Sequence, residues 1–227
     1  MEQYFLLLQI NDALFPIGGY SHSYGLETYI QKDIVRDGET AENYIQNNLC
    51  FNLRYTDFLT VKIAYNYAKA GQMEKLLDLD ELVEASKTPM EIRSASRKLG
   101  SRFIKTLVSM GLDQTETIFH TYCGKSRMYG HHSVAYGVFC AAMGIELQQA
   151  LQSYIYAQTS AMVTNCVKSI PLSQTVGQQI LGRCRKLYPK ILENLKILGE
   201  ADLFCSTPGF DIRSMEHEGL YSRIYMS

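Results

Sequence analysis

Four groupings in the 227-residue chain carry side chains that could do chemistry. Gly124-Lys125-Ser126 has the form of the end of a phosphate-binding loop, in which backbone amides and a lysine cradle a nucleotide. The full pattern needs a glycine where Phe119 stands, and a strand ahead of it, so no P-loop site is expected. His120 and Cys123 have the i, i+3 spacing of two metal ligands on one helix face, but no matching second pair lies nearby. His131 and His132 are adjacent, so on a helix they diverge by about 100° and cannot easily share one ion. They are expected to open a helix with one imidazole buried and the other exposed. Asp12, Ser21 and His22 could be written as a hydrolytic triad. There is no nucleophile elbow, and neighbouring Ser and His side chains point apart, so no catalytic centre is expected.

The six cysteines (Cys50, Cys123, Cys140, Cys166, Cys184, Cys205) are widely spaced and form no CxxC pair. That removes zinc-ribbon and thioredoxin-type sites and reads as reduced, mostly buried thiols in a cytoplasmic protein. With 22 Lys+Arg against 23 Asp+Glu, the net charge of −1 gives no whole-molecule attraction to nucleic acid or anionic membrane. The apolar run Tyr4 to Ile10 follows Glu2 and ends at Asp12, unlike a signal peptide. Leu147 to Val167 lacks charge over a bilayer-spanning length but holds nine polar side chains, which fits a buried soluble helix better.

Helical punctuation dominates the elements that must position these residues. Thr88-Pro89-Met90-Glu91 reads as a capping box with proline at the first helical position, and Asp113-Gln114-Thr115-Glu116 has the related form. Gly71, Gly111, Gly144 and Gly199 each follow an apolar-periodic stretch, where a left-handed C-cap belongs. The patterns predict helices near 2–12, 22–33, 40–69, 73–86, 89–110, 114–124, 131–143, 146–167, 173–186 and 188–198, and a mixed tail over 200–227. The expected architecture is an all-α, single-domain bundle of about ten helices. Between Arg127 and Lys168 the only charged residue is Glu146, so two successive helices there should be buried nearly all round. Gly137, Ala141 and Gly144 on the first would let a neighbouring helix come close.

Three stretches exceed what packing requires. Residues 89–105 carry Arg93, Arg97, Lys98, Arg102 and Lys105 against Glu91, a local excess of 5 − 1 = 4 positive charges. Phe15-Pro16-Ile17-Gly18-Gly19-Tyr20-Ser21-His22-Ser23-Tyr24-Gly25-Leu26-Glu27 crowds Pro, Gly and aromatic residues into a turn that opens a helix, with Ser21 placed to cap it. Tyr20, His22 and Tyr24 combine apolar bodies with polar tips, as protein interfaces do. The end of the chain, from Pro208, mixes alternating charge with Met, Tyr and Arg.

These stretches are where the chain resembles the urease accessory protein UreF family. The first is similar to the family signature LPxGGFSHSxGLE. His217-Glu218-Gly219-Leu220-Tyr221-Ser222-Arg223-Ile224-Tyr225-Met226-Ser227 is similar to its HExxYSRLFxS terminus. Val167-Lys168-Ser169-Ile170-Pro171-Leu172-Ser173-Gln174 resembles V-[KR]-L-V-P-[LF]-G-Q, and Thr88 to Gly100 resembles its Thr-x-x-x-x-Arg-…-Gly helix. Ser169 and Ser173 stand where Leu and Gly are usual, and Ile224 and Tyr225 replace Leu and Phe.

The resemblance implies an all-helical homodimer that is not an enzyme. It implies a scaffold that joins a UreD/UreH-type protein and the GTPase UreG to build the nickel centre of apo-urease, regulating GTP use. Nickel and GTP would be handled by the wider complex, with no cofactor and no tight metal site on this chain. The alternative is a stand-alone nickel-binding metallochaperone. The partner-binding residues it implies are Pro16, Gly18, Gly19, Tyr20, Ser21, His22, Gly25 and Glu27; Lys168, Pro171 and Gln174; and His217, Glu218, Tyr221, Ser222 and Arg223. Lys168 is the expected charged contact for GTPase coupling. The tail 200–227 is expected to be loose alone and ordered by the UreD/UreH-type partner.

Overall fold

The computed structural model describes residues 1–112, 117–125, 128–205 and 207–226, with Tyr20 described in its backbone only. The expected cap at 113–116 lies outside these residues, as does Ser126 of the Gly-Lys-Ser turn. The described residues are all helix and loop, with no strand. The helices are α1 (Glu2–Ile10), α2 (Leu26–Gln31), α3 (Gly38–Asn47), α4 (Leu59–Lys69), α5 (Met73–Ser86), α6 (Met90–Ser109), α7 (Ile118–Cys123), α8 (His132–Ala142), α9 (Leu147–Ser169), α10 (Gln174–Cys184), α11 (Tyr188–Ile197) and α12 (Pro208–His217). The anticipated helix over 40–69 is continuous from α3 to α4, but Asn48–Phe58 between them is wound as a π-helix. Helix α12 forms inside the segment read as a mixed tail, started by Pro208 in its first turn.

Gly71, Gly111 and Gly144 take φ of 68°, 71° and 65°, the left-handed C-caps expected. Gly199 does not: at φ −128° it opens a short 3-10 turn. The capping box at Thr88–Glu91 is also absent. Pro89 itself is the N-cap, and its ring has no atom that could accept from the first turn; the Glu91 carboxylate meets His217 and Arg223 instead.

Close backbone approach organises the centre. At Gly137 on α8, a Cβ would lie 2.6 Å from the Val61 carbonyl oxygen of α4, so only glycine permits this crossing. At Gly100 on α6, a Cβ would overlap the Gly130 carbonyl oxygen and crowd His131 and His132. The same 129–131 backbone is held from the other side by buried Asp80 of α5. Its carboxylate accepts N–H bonds from Tyr129, Gly130 and His131 at 2.6, 2.7 and 3.0 Å. Burial pushes the Asp80 carboxyl above its ordinary range, against the pull of these amides. Around the crossing, Phe103 meets Phe139 edge-to-face at 5.8 Å, and Phe119 meets Phe139 at 5.2 Å.

Two expectations about this centre need correction. Both His131 and His132 are buried, because the α8 N-terminus is enclosed by α5, α6 and α9. His131 lies 3.0 Å from Ser96 Oγ through Nδ1 and 3.0 Å from Glu84 Oε2 through Nε2, so a neutral ring can accept from the serine and donate to the carboxylate. Helix α8 is enclosed, but α9 exposes Gln148, Gln149, Gln152, Tyr156 and Thr164, an uncharged face that charge counting alone did not separate from a buried one.

Two outcomes follow from this packing. Gly100→Ala should cost about 3 kcal/mol in urea unfolding, because the obstructing atoms are backbone and cannot turn aside. Burial lowers the His131 pKa to about 3 and that of His132 to about 4. Below the ordinary value near 6.5 the unfolded chain therefore binds protons that the folded chain refuses. Stability should fall as pH drops from about 6.5 toward 4, by about 1.4 kcal/mol per pH unit for each imidazole. Denaturation midpoints measured across that window check the sign.

Candidate partner-binding site

The two signature segments, one near each end of the chain, meet at one carboxylate. Glu27 opens α2 behind Gly25, whose φ of 81° makes the left-handed turn into the helix. A Cβ at Gly25 would lie 3.1 Å from the Ser214 backbone, so the glycine also admits α12 against α2. Glu27 is 6% exposed, and a carboxylate so enclosed needs donors. It receives the backbone N–H of Ile224 at 2.7 Å through Oε1 and that of Tyr225 at 2.9 Å through Oε2. His217 Nε2 lies 3.0 Å from Oε2 as well.

His217 bridges two acids. Its Nδ1 lies 2.6 Å from Glu91 Oε2, and Arg223 Nη1 donates to Glu91 Oε1, also at 2.6 Å. Both ring nitrogens therefore face carboxylate oxygens, and Arg223 brings a guanidinium to one of the same acids. Both nitrogens are taken up by this contact, so neither is turned toward a metal ion. Among the described residues no group of three His, Cys, Asp or Glu is arranged to hold one.

The tail is stitched on further along. Met226 N–H donates to the Ser21 carbonyl at 2.9 Å and Gln31 Nε2 to the Ser222 carbonyl at 2.7 Å. Tyr225 is buried, with its hydroxyl beside Ser169 at the end of α9. Asn165 of α9 donates to the His22 carbonyl at 2.8 Å. The first signature, the tail and the Val167–Gln174 stretch thus border one region around the C-terminal half of α9.

Within that region the individual residues differ. His22, Gly25, Glu27 and His217 are buried; Gly18 is buried beneath Arg102, whose Nη1 donates to the Ile17 carbonyl at 3.3 Å. Burial, aided by nearby Lys98 and Arg102, lowers the His22 pKa. Pro16, Lys168, Pro171, Gln174, Glu218, Tyr221, Ser222 and Arg223 are exposed, and Gly19 and Ser21 are half-buried. Ser21 is not the expected cap of α2, whose N-cap is Gly25; its hydroxyl donates to the Gly18 carbonyl at 2.8 Å, closing the turn.

The family model for UreF matches residues 35–185. The chain is 31% identical over 227 residues to a urease accessory protein UreF of Bacillus sp. (strain TB-90), covering 100% of both chains. It is 34% identical to that of Haemophilus influenzae (strain PittGG) over 97% of this chain and 94% of the relative. With that of Actinobacillus pleuropneumoniae serotype 5b (strain L20) it shares 35% identity over 100% of both. The chain belongs to the UreF family. It is accordingly an accessory factor with a general role in urease maturation, and not an enzyme.

Some departures from the UreF pattern have local reasons. Ser173, where glycine is usual, caps α10: its hydroxyl accepts the Val176 N–H at 3.2 Å. Two features escaped sequence reasoning altogether. One is the Glu27–His217–Glu91 bridge, in which Glu91 had been assigned to a helix cap. The other is a partly open cavity of about 110 Å³, lined in part by Tyr24, Asn52, Asp57, Lys87, His132 and Tyr154. Inside it Lys87 Nζ pairs with Asp57 at 3.1 Å. Burial raises the Asp57 carboxyl, the ammonium outweighs it, and the net shift is downward. Residues 57 and 87 carry no signal that would pair them in sequence.

Magnitudes rank the bridge. Removing one member of an enclosed ion pair strands the others, at about 3–5 kcal/mol, whereas a pair on the surface contributes about 0–1 kcal/mol. His217→Ala should therefore destabilise by about 3 kcal/mol and expose the Ile224 and Tyr225 amides to hydrogen exchange. Arg223→Ala, at a side chain 40% exposed, should cost under about 1 kcal/mol in the same urea titration. Equal costs would place the stabilisation elsewhere than in the buried bridge.

Proposed function

We propose that this chain is the scaffold of a urease maturation complex, joining a UreD/UreH-type protein to the GTPase UreG as they load nickel into apo-urease. The observation that carries the reading is the two-sided tail. Its inner edge is held by Glu27 and Glu91, while its outer edge offers Tyr221, Ile224 and Met226, with Ile212 and Met215 exposed on α12. Apolar side chains fixed on a polar anchor suit the core of a protein interface, where a few such anchors carry most of the affinity.

In this reading the UreD/UreH-type protein covers the outer edge and gives the tail its full order. Lys168, exposed in the last turn of α9, is the contact through which GTP use by UreG is regulated. The protein works as a homodimer in the cytoplasm, and the exposed uncharged face of α9 suits a contact between proteins because no charge has to be stripped of water there.

Size-exclusion chromatography with light scattering, on the protein alone and mixed with a UreD/UreH-type protein, tests the scaffold. Co-elution as two copies of each is expected. Tyr221→Ala with Ile224→Asp should weaken it about tenfold or more, and the tail amides should gain hydrogen-exchange protection in the complex. With UreG added, Lys168→Glu should change GTP turnover while leaving co-elution intact. Failure to associate, together with stoichiometric nickel binding by the isolated chain, would favour the stand-alone metallochaperone.

A further inference from the structure

At 3.6 residues per turn, α6 gathers Ser94, Lys98, Ser101, Arg102, Lys105 and Ser109 within an arc of roughly 100°. Lys98, Arg102, Lys105 and Ser109 are exposed, and Ser94 and Ser101 are half-buried. The other charges of the helix are committed elsewhere: Arg93 and Arg97 face Glu84 at 3.5 and 3.4 Å, and Glu91 faces His217 and Arg223. Lys98, Arg102 and Lys105 have no ion-pair partner among the described residues.

Their spacing is unfavourable for a face that meets only water. Lys98 and Arg102 are i, i+4 and Arg102 and Lys105 i, i+3, distances at which like charges repel. A solvated helix face relieves this with acids beside the cations; here Ser94, Ser101 and Ser109 stand beside them, and the one acid of the face, Glu91, is taken by His217 and Arg223. Since the chain as a whole carries a net charge of −1, the concentration is local.

The surroundings narrow the occupant. Beside the strip runs a shallow groove lined by Leu8, Leu14, Pro16, Thr106 and Met110, with Asp12 as its one charged residue; Leu14 is 90% exposed. Arg102 ties the strip to the Phe15–Glu27 turn through the Ile17 carbonyl. The strip has no aromatic side chain on which a base could stack. Three cations fall short of the four to eight that mark a basic site for anionic lipid.

We propose that this strip docks an acidic segment of a partner protein, its carboxylates on Lys98, Arg102 and Lys105 and an apolar side chain in the Leu14–Pro16–Met110 groove. The inference does not depend on which protein supplies the segment. Occupancy would also offset the part of the lowering at His22 that Lys98 and Arg102 add to burial, a part Glu91 already opposes.

Fluorescence anisotropy with a labelled decaglutamate peptide on the full chain tests it, separately from any co-elution with a UreD/UreH-type protein. Binding at low ionic strength is expected to weaken as salt rises past the point where the screening length is about 10 Å. It should fall about tenfold or more in Lys98→Glu/Lys105→Glu, a variant that leaves the Arg102–Ile17 bond in place, and stay unchanged in Lys186→Glu/Lys190→Glu, which makes the same charge change on another surface. The His22 ring signal should titrate at higher pH with the peptide bound. Absence of binding at low salt, equal losses in the two variants, or stronger competition by duplex DNA or by phosphatidylserine vesicles would overturn the proposal.

Discussion

A carboxylate taken out of water must be matched by donors, and Glu27 is matched by the far end of its own chain. His217, Ile224 and Tyr225 lie 190, 197 and 198 residues away in sequence. None is a local capping partner, so the opening turn cannot reach its final form until α12 has docked. Glu91 extends the dependence to α6, because the ring that meets Glu27 through Nε2 meets Glu91 through Nδ1. The start of α2, the first turn of α6 and the end of α12 therefore stand or fall together. The two backbone amides make this more than an ion pair: they fix the path of the tail as well as its charge.

Beneath the bridge lies a centre built on close contact. Gly137 lets α8 reach the α4 backbone, and Gly100 lets α6 reach the 130–132 backbone. Asp80 then holds that backbone by three amides from the opposite side. A core packed this tightly transmits displacement instead of absorbing it. That gives α6 a fixed position, which matters because one face of α6 carries both Glu91, in its first turn, and the Lys98–Arg102–Lys105 strip beyond it.

Much of this was legible in the residues. Apolar periodicity and glycine stops located most helices to within a few positions, and the signature segments pointed to the region around α9. What stayed hidden has physical causes. The π-helical winding of Asn48–Phe58 changes which carbonyl each amide finds, and no residue type announces it. Helix α12 was masked by its mixed charge, although Pro208 was a usable start signal. The capping box is absent because α6 starts one residue later than the pattern implies, with Pro89 as its N-cap, and Glu91 is engaged by the tail, a contact no local pattern can register. Serine at 173, where the family pattern has glycine, caps α10 through its own hydroxyl. Glu27, His217 and Arg223 stand in the signature segments, but their pairing with one another and with Glu91 is set only by the tertiary fold.

The family match over residues 35–185 covers the body of the fold and stops short of both ends that meet at Glu27. Joining segments nearly the whole chain apart carries a loop-closure cost that nearby pairings avoid, although the cost grows only with the logarithm of the separation. Contacts of this kind form after the local ones, and the segments they hold are the first candidates for opening from the native state. The enclosed helices need no such contact to retain their packing: α8 and the aromatic cluster around Phe139 are buried without help from the tail. The bridge thus divides the molecule into a body stabilised by packing and a pair of ends stabilised by a few polar bonds. A partner that touches the outer edge of those ends can alter their order while leaving the body unchanged, a property suited to a scaffold that must respond to what has already bound.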